Sequence, residues 1–189
     1  YDALGRHLPV AFTIGNRAYV GTGTYRLDRA HNAIYLNDFW EYDPASDTWQ
    51  QKANVPEEGR TSATGISIGN KGYVGLGLYY YDTRLKDWWE YDPAEDEWTR
   101  KGDFPGTKRV QALAYTLGDK GYLGGGAYYV PLKDFWEYDP ATNTWTQIAD
   151  FGGGYRYHAT AFSIGDYGYV ATGEDTANVT HNDLWRYDP

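Results

Sequence analysis

The 189-residue chain contains no cysteine and no methionine. Without cysteine it has no disulfide, no thiol nucleophile and no cysteine-ligated zinc site, and its redox compartment is left open. Methionine is missing even at the first position, which is occupied by Tyr1. We therefore expect a processed product or an excised piece of a longer protein.

Positive charge and long apolar runs are also scarce. Lys and Arg number 17 against 26 Asp and Glu, and the formal net charge is −9. No cluster of basic residues offsets this balance, which argues against a nucleic-acid-binding surface. No apolar run approaches the roughly 18 residues of a membrane-spanning helix, and no secretory signal is visible. We expect no membrane insertion and no nucleic-acid partner.

Aromatic residues and glycine, by contrast, are abundant. The chain has 20 Tyr, 8 Trp and 23 Gly. This composition is typical of short strands joined by tight turns, with large rings filling the space between sheets. No 3.6-residue periodicity persists along the chain, so no helix is predicted.

One motif recurs along the whole chain. Asp-Phe-Trp-Glu-Tyr-Asp-Pro and close variants of it occupy residues 38–44, 87–93, 134–140 and 183–189. The motif tyrosines are 49, 47 and 49 residues apart, and in the first three copies a tryptophan follows the tyrosine by seven residues. This period indicates a tandem array whose units must stack, because none can bury a core alone. We predict a single domain over 1–189, with repeats at about 5–56, 57–105, 106–152 and 153–189.

Each repeat predicts up to four antiparallel strands. An arginine is followed by a segment in which small and apolar residues alternate, as in residues 63–68 and 159–164, and this alternation predicts a strand. Gly-Asn or Gly-Asp then predicts a two-residue hairpin turn, which leads to a return strand that ends at a fixed glycine. A variable loop, the repeated motif and the tryptophan segment supply the third and fourth strands. Four such strands repeated radially describe the blades of an all-β propeller.

The order of these features resembles the kelch repeat. Arginine, hydrophobic strand, Gly-x-x-Tyr-Val, glycine, Tyr-Asp-Pro and tryptophan recur in four copies that cover nearly the whole chain. The resemblance implies a kelch β-propeller, or a segment of one, of the galactose oxidase-like superfamily. The variant with Ile-Gly-Asn-Lys-Gly-Tyr resembles secreted or surface kelch proteins of bacteria, which implies an extracellular, cell-surface or periplasmic location.

Two departures from the kelch pattern bear on closure of the ring. Only the third repeat keeps the glycine doublet after its second strand, as Gly125-Gly126. The fourth repeat stops at Pro189, before the tryptophan of its siblings, and we expect its blade to lack the outer strand. A closed four-bladed ring, an open arc of a larger propeller and a half ring completed by a second copy are the alternatives. Open ends would expose a strand edge and an aromatic face, which favours self-association.

The variable loops form the predicted binding face, because propeller loops carry function on a structural scaffold. They span residues 24–37, 78–86, 127–133 and 174–182. Tyrosine in these loops supplies rigid contact area for a protein or glycan partner, or else packs neighbouring loops together. The predicted ligand-binding residues of the loops are Tyr25, Tyr79, Tyr80, Tyr81, Tyr128 and Tyr129.

A second candidate site lies near the predicted central axis. The four arginines that open the repeats either converge on an anionic ligand or tie each blade to a backbone carbonyl or to a neighbour's Asp. The kelch resemblance implies that the position two residues after each arginine faces ligands; in the first repeat this is Leu8. The candidates for this central pocket are Arg6, Arg60, Arg109, Arg156, Ser62, Gln111 and His158.

Binding without chemistry is the predicted function, with no cofactor. The four histidines show no metal-ligand spacing, and no metal site is predicted. Kelch-type galactose oxidases use copper and a Tyr–Cys crosslink, which a chain without cysteine cannot form. The alternative is a sugar-processing enzyme similar to kelch-type sialic acid mutarotases, with Glu174, Asp175 and His181 as the acid/base groups. A purely architectural, self-assembling repeat module is the third hypothesis.

Overall fold

The computed structural model describes residues 5–26, 33–80 and 82–189. The regular structure in these ranges is entirely β, as predicted. No helix that could span a membrane is found in the part of the chain that is described. In these residues each repeat forms one antiparallel sheet of three or four strands, and the four sheets are arranged as the blades of a propeller; two further sheets have two strands each.

The strands follow the four repeats along the chain. The first contains β1 (Val10–Ile14), β2 (Arg17–Gly21), β3 (Thr24–Arg26), β4 (Ala33–Tyr35), β5 (Phe39–Asp43) and β6 (Thr48–Lys52). The second contains β7 (Thr64–Ile68), β8 (Lys71–Gly75), β9 (Leu78–Tyr79), β10 (Thr83–Arg84), β11 (Trp88–Asp92) and β12 (Glu97–Arg100). The third contains β13 (Leu113–Leu117), β14 (Lys120–Gly124), β15 (Phe135–Asp139) and β16 (Thr144–Ile148). The fourth contains β17 (Thr160–Ile164), β18 (Tyr167–Ala171) and β19 (Leu184–Tyr187).

The order of strands within the blades confirms the sequence interpretation. The first three sheets have four strands each, in the orders β1-β2-β5-β6, β7-β8-β11-β12 and β13-β14-β15-β16, and the fourth has the three strands β17-β18-β19. The first two strands of a blade pair as a hairpin, in which Ile14 faces Arg17 across a two-residue turn. Gly15 in that turn has a φ of 56°, the positive value for which glycine is selected there.

Two of the loops contain short strands that were not predicted. β3 pairs with β4 in the first repeat, and β9 pairs with β10 in the second. These hairpins extend from the fixed glycine of each repeat toward the loop face. The predicted loops of the first two repeats therefore contain regular β-structure.

Three hydrophobic cores lie between successive blades. Each is made by rings and aliphatic side chains of one blade against small residues and rings of the next. Between the second and third blades the core includes Ile66, Ile68, Trp88 and Tyr138. Gly121 accepts this packing, since a Cβ built there would lie 2.7 Å from Ile66 Cδ1. Stacking of blades therefore buries what no single repeat can bury.

The fourth blade has one face that nothing covers in the described residues. The inner strands pack β1 on β7, β7 on β13 and β13 on β17, whereas β17 does not pack on β1 in this way. Ile164 is 62% exposed, while its counterpart Ile68 in the second blade is 4% exposed. Phe162 and Leu184 lie on the same side of the blade and are also exposed. We call these three residues the open face.

Candidate functional site

The arginine that opens each repeat is bound to the aspartate that opens the motif of the same repeat. Arg60 donates to both carboxylate oxygens of Asp87, at 2.7 Å each, and also to the carbonyl of Leu76. Arg6 pairs with Asp38, and Arg109 pairs with Asp134, in the same bidentate arrangement. The tryptophan two residues after the aspartate adds a third donor, as from Trp89 Nε1 to Asp87 at 2.7 Å.

Two of these pairs lower the pKa of their aspartate. Burial opposes ionisation of Asp134, but the hydrogen bonds and charge of Arg109 and the Trp136 indole outweigh it, and the pKa of Asp134 lies below its usual value. The pKa of Asp38 is lowered against burial in the same way by Arg6 and Trp40. Asp38 and Asp134 therefore remain carboxylates that hold their arginines in place.

The arginines of the predicted central pocket are thus directed into their own blades. Arg60, Arg109 and Arg156 are at most 1% exposed. Each binds a backbone carbonyl or a carboxylate of its repeat, which is the structural alternative that the sequence left open. The aspartate belongs to the same repeat and not to a neighbouring one. A role of the four arginines in binding an anion stays a prediction.

The position two residues after each arginine has an unusual backbone. Leu8, Ser62, Gln111 and His158 all have φ between 52° and 56°, a left-handed conformation that non-glycine residues seldom adopt. The Ser62 N–H donates to the Leu8 carbonyl at 3.2 Å, and the Gln111 N–H donates to the Ser62 carbonyl at 2.9 Å. These bonds join neighbouring blades. The strain is therefore part of the inter-blade connection, and only His158 among the three predicted contact residues is exposed.

The loop tyrosines of the second and third repeats come together. The rings of Tyr79 and Tyr80 are 6.1 Å apart, and those of Tyr128 and Tyr129 are 4.4 Å apart. The Arg84 guanidinium lies 4.3 Å from the centre of the Tyr129 ring and 5.2 Å from that of Tyr128, which joins the two loops by cation–π contacts. We call Tyr79, Tyr80, Arg84, Tyr128, Tyr129 and Val130 the tyrosine patch.

Asp82 binds two residues of the tyrosine patch, Arg84 and Tyr129. It accepts a hydrogen bond of 2.5 Å from Arg84, and this bond, together with one from Tyr129, lowers the pKa of Asp82. The same bond from the Tyr129 hydroxyl raises the pKa of Tyr129. The patch is therefore a neutral aromatic surface on an ionised Asp–Arg pair.

The other predicted loop residues lie outside the tyrosine patch. Tyr25 is in β3, where it faces Ile34 across the hairpin. Tyr81 lies outside the described residues. Tyr35, which was not singled out, packs edge-on against Tyr79 with 5.9 Å between ring centres, so the first loop borders the patch.

The acid/base residues of the fourth repeat form two separate pairs. Glu174 accepts from the Tyr157 hydroxyl at 2.9 Å, and His181 Nε2 lies 3.0 Å from Asp175 Oδ2. Asp175 also accepts from the backbone N–H groups of Ala177 and Val179. The bond from Val179, followed by that from His181, lowers the pKa of Asp175, which stays ionised at neutral pH. Asp175 consequently suits the orientation of His181 better than proton donation.

A cavity of about 280 Å³ lies between the third and fourth blades, away from the loop tyrosines. Phe135, Ile148 and Phe151 line it from the third blade, and Trp185 and Tyr187 line it from the fourth. Sequence reasoning did not identify it as a site.

Comparisons with known proteins agree with the fold. Residues 121–152, which span β15, β16 and all but the first residue of β14, match the Kelch motif family. A solved structure described as "Structure of YjhT" superposes with a TM-score of 0.77 at 18% sequence identity, and the alignment covers 90% of this chain and 59% of that one. No curated protein matches the chain in sequence. The matched segment is one of four repeats that recur in register along the chain, and the fold that they form is a β-propeller.

Proposed function

We propose that the protein is a binding module without catalytic activity that recognises a protein or glycan partner through the tyrosine patch. A kelch propeller is in general a scaffold for interactions, and the patch gives this one a specific surface. The observation that carries the proposal is the joining of two loops by Arg84 into one aromatic surface.

Exposure of the rings supports recognition over packing. Tyr129 is 68% exposed and Tyr80 is 50% exposed, and Val130 beside them is also exposed. Tyrosine offers a large amphipathic area with few rotatable bonds, so little conformational entropy is lost when a partner binds. An aromatic surface of this kind accepts either protein side chains or the apolar face of a sugar ring.

Preorganisation supports it as well. The Arg84 side chain is 12% exposed beneath the tyrosines and is held by Asp82, so the patch does not need to be ordered by its partner. Acidic groups flank it, since Glu58 raises the pKa of Tyr79 by its charge. We therefore expect neutral or cationic partners to be favoured over anionic ones.

Binding to a peptide display library and to a glycan array tests the proposal with the whole chain. Every ligand recovered is then measured against Tyr129→Ala and Tyr80→Ala. We expect each variant to weaken binding by about 30-fold, as truncation of a central aromatic residue does. Tyr155→Ala is the matched control, because Tyr155 is exposed but lies outside the patch. Binding that survives both patch variants, or loss that is equal for the control, would refute the assignment.

A sugar-processing activity of the mutarotase kind is the second candidate. The observation that favours it is that the backbones of Tyr157 and Glu174 pair directly, so that His158, Glu174 and the Asp175–His181 pair share one corner of the fourth repeat. Mutarotation of sialic acid, followed by NMR, tests it. Turnover that is lost in the Glu174→Ala, His181→Ala double variant would establish it. Full turnover in that variant, or none in the parent chain, would exclude it. An extracellular, cell-surface or periplasmic location is part of the proposal and is supported by resemblance.

A further inference from the structure

We infer that the occupant of the tyrosine patch is an arginine-containing segment of a protein partner, whose guanidinium groups stack on the exposed tyrosine rings and pair with the carboxylates of Asp82 and Glu58. The inference rests on the proposed function and deepens it, because that function leaves open whether the partner is a protein or a glycan. It follows from the exposure of the rings, the sign of the charge beside them and the position of Arg84.

The tyrosine patch already holds one guanidinium group against its rings. Arg84 lies over the Tyr129 ring, 4.3 Å from its centre, and 5.2 Å from the centre of the Tyr128 ring. The Arg84 side chain is only 12% exposed, whereas Tyr129 is 68% exposed. Arg84 therefore covers one face of the Tyr129 ring from within the protein and leaves ring surface for a partner. Because Asp82 neutralises Arg84, a second cation at the ring meets little repulsion.

Carboxylates border the exposed rings. Asp82 accepts a hydrogen bond of 2.5 Å from Arg84, and its side chain is 46% exposed. The bond from Arg84, followed by that from Tyr129, lowers the pKa of Asp82, which is therefore ionised at neutral pH. An ionised carboxylate can accept more hydrogen bonds than these, so Asp82 keeps acceptor capacity for a partner. Glu58 is exposed beside Tyr79, whose pKa it raises by its charge and by accepting from the hydroxyl.

The charge that the patch offers to a partner is negative. The charge of Arg84 is consumed by Asp82 beneath the rings, while Glu58 and Asp82 remain exposed. The whole chain has a net charge of −9, so its long-range field also attracts cations. An acidic peptide or an anionic glycan is repelled, and a neutral glycan uses the rings without the carboxylates. A basic protein segment uses both.

Arginine suits this surface better than lysine. A guanidinium group is planar and less strongly hydrated than an ammonium group, so it can stack on a ring while its N–H groups donate to a carboxylate. Arg84 makes this combination of contacts, with the Tyr129 ring and with Asp82. The patch thus contains an example of the contact that we assign to its partner.

A blocked peptide in which three arginines alternate with glycine tests the inference. It is titrated into the 189-residue protein at low salt, and binding is followed by the amide resonances of the protein. We expect saturable binding that weakens by about 5-fold or more when the salt concentration rises several-fold. The same peptide with citrulline in place of arginine has nearly the same shape without the charge and should bind about 10-fold more weakly, and a lysine peptide about 3-fold more weakly.

Four protein variants locate the binding. Tyr129→Leu keeps an apolar side chain but removes the ring, and Asp82→Asn removes a charge; each should weaken binding by about 5-fold, and Glu58→Gln by about 3-fold. Glu95→Gln is the matched control, because it removes the same charge from an exposed glutamate in the turn between β11 and β12, outside the patch. It should change binding less than about 2-fold, since a distant exposed charge is screened.

The outcomes separate this inference from the proposed function. Equal binding of the arginine and citrulline peptides, equal losses in Glu58→Gln and Glu95→Gln, or no binding at millimolar peptide would overturn the inference. The citrulline comparison uses the parent protein and is decisive even if a variant does not fold. A glycan whose binding is lost in Tyr129→Ala, with no binding of the arginine peptide, would overturn the inference and leave the proposed function standing. Binding that never depends on Tyr129 would refute both.

Discussion

The second and fourth blades share the same repeat pattern, yet they bury the corresponding residues very differently. Trp88 in the second blade is fully buried, while Leu184 at the same place in the fourth is 62% exposed. The second and third strands pair in the same register in both blades. Local sequence therefore determines the strand, whereas the neighbouring blade determines how much stability the strand contributes.

Their Arg–Asp pairs differ in the same direction. Arg60 binds both oxygens of Asp87, but Arg156 binds only Oδ2 of Asp183, at 2.8 Å. Arg156 Nη1 and Asp183 Oδ1 are buried without a hydrogen-bond partner in the described residues. An unsatisfied buried polar atom costs free energy. We therefore expect the fourth blade of this chain to be less stable than the second, and the following predictions use this contrast.

Truncation of the side chain at the second position of the repeated motif should show the largest difference in stability loss between the two blades. We expect Trp88→Ala to lower the free energy of unfolding by about 3–5 kcal/mol, because it leaves a cavity in a packed core. Leu184→Ala should cost less than about 0.5 kcal/mol, since its side chain is already in solvent. Urea unfolding measures both values. Equal losses would mean that the open face is covered in solution.

Loss of an aspartate should show the next largest contrast. Asp134→Asn removes the negative charge from a bidentate pair with a buried arginine. We expect the free energy of unfolding to fall by about 2–3 kcal/mol. Asp183→Asn acts on a pair that is joined by one Arg–Asp hydrogen bond and whose carboxylate is half-buried. We expect the free energy of unfolding to fall by about 1 kcal/mol.

The pH dependence of Asp134→Asn checks the cause. The pKa of Asp134 is lower in the folded than in the unfolded state, so its stabilisation is present above the unfolded value and is lost as the pH falls through the folded value. The difference between parent and Asp134→Asn should therefore be constant at neutral pH and should narrow below about pH 4. A difference that does not change with pH would attribute the loss to packing.

Relief of backbone strain should have a smaller effect. Thr172 occupies the first position of the glycine doublet and has a φ of 62°, whereas the third repeat has Gly125 there with a φ of 55°. We expect Thr172→Gly to stabilise the protein by about 0.5–1 kcal/mol, as the strain relieved exceeds the entropy that glycine adds to the unfolded chain. The reverse change, Gly125→Ala, should destabilise it, because its Cβ would lie 2.9 Å from the Arg156 carbonyl oxygen. Opposite signs in thermal unfolding would support this account.

Association through the open face should have the smallest effect on the stability of one chain. Val20, Tyr42 and Trp49 of the first blade are the counterparts of Val74, Tyr91 and Trp98, which cover the face of the preceding blade. A second copy therefore presents a matching surface for the open face. Light scattering over a dilution series should show molar mass rising with concentration, and Ile164→Lys with Leu184→Lys should abolish the rise. Unchanged association of that double variant would assign it to another surface.

The sequence was sufficient to predict the strands and turns because these are local. Tyr42 and Trp49, which are seven residues apart, face each other across β5 and β6, and Gly15 lies in the hairpin turn. The missing outer strand of the fourth blade was also predicted correctly.

The pairings between distant side chains could not be predicted in the same way. The Tyr19 hydroxyl donates to Glu41 at 2.6 Å, which explains the repeated glutamate of the motif, but the pairing depends on a register that the sequence alone did not define. Arg84 lies beneath Tyr129 of another repeat, and its role depends on how the two loops meet. The first contact depends on strand register within one blade, and the second depends on how two neighbouring repeats meet.

Amide hydrogen exchange at low protein concentration tests the central claim most directly, by comparing β19 with β11 and β17 with β7. The account predicts faster exchange in β17 and β19, because the open face and the free edge allow the fourth blade to open without the rest of the array. Equal protection in the two blades would contradict the account, since it would mean that the fourth blade is covered and that the four blades unfold as one unit.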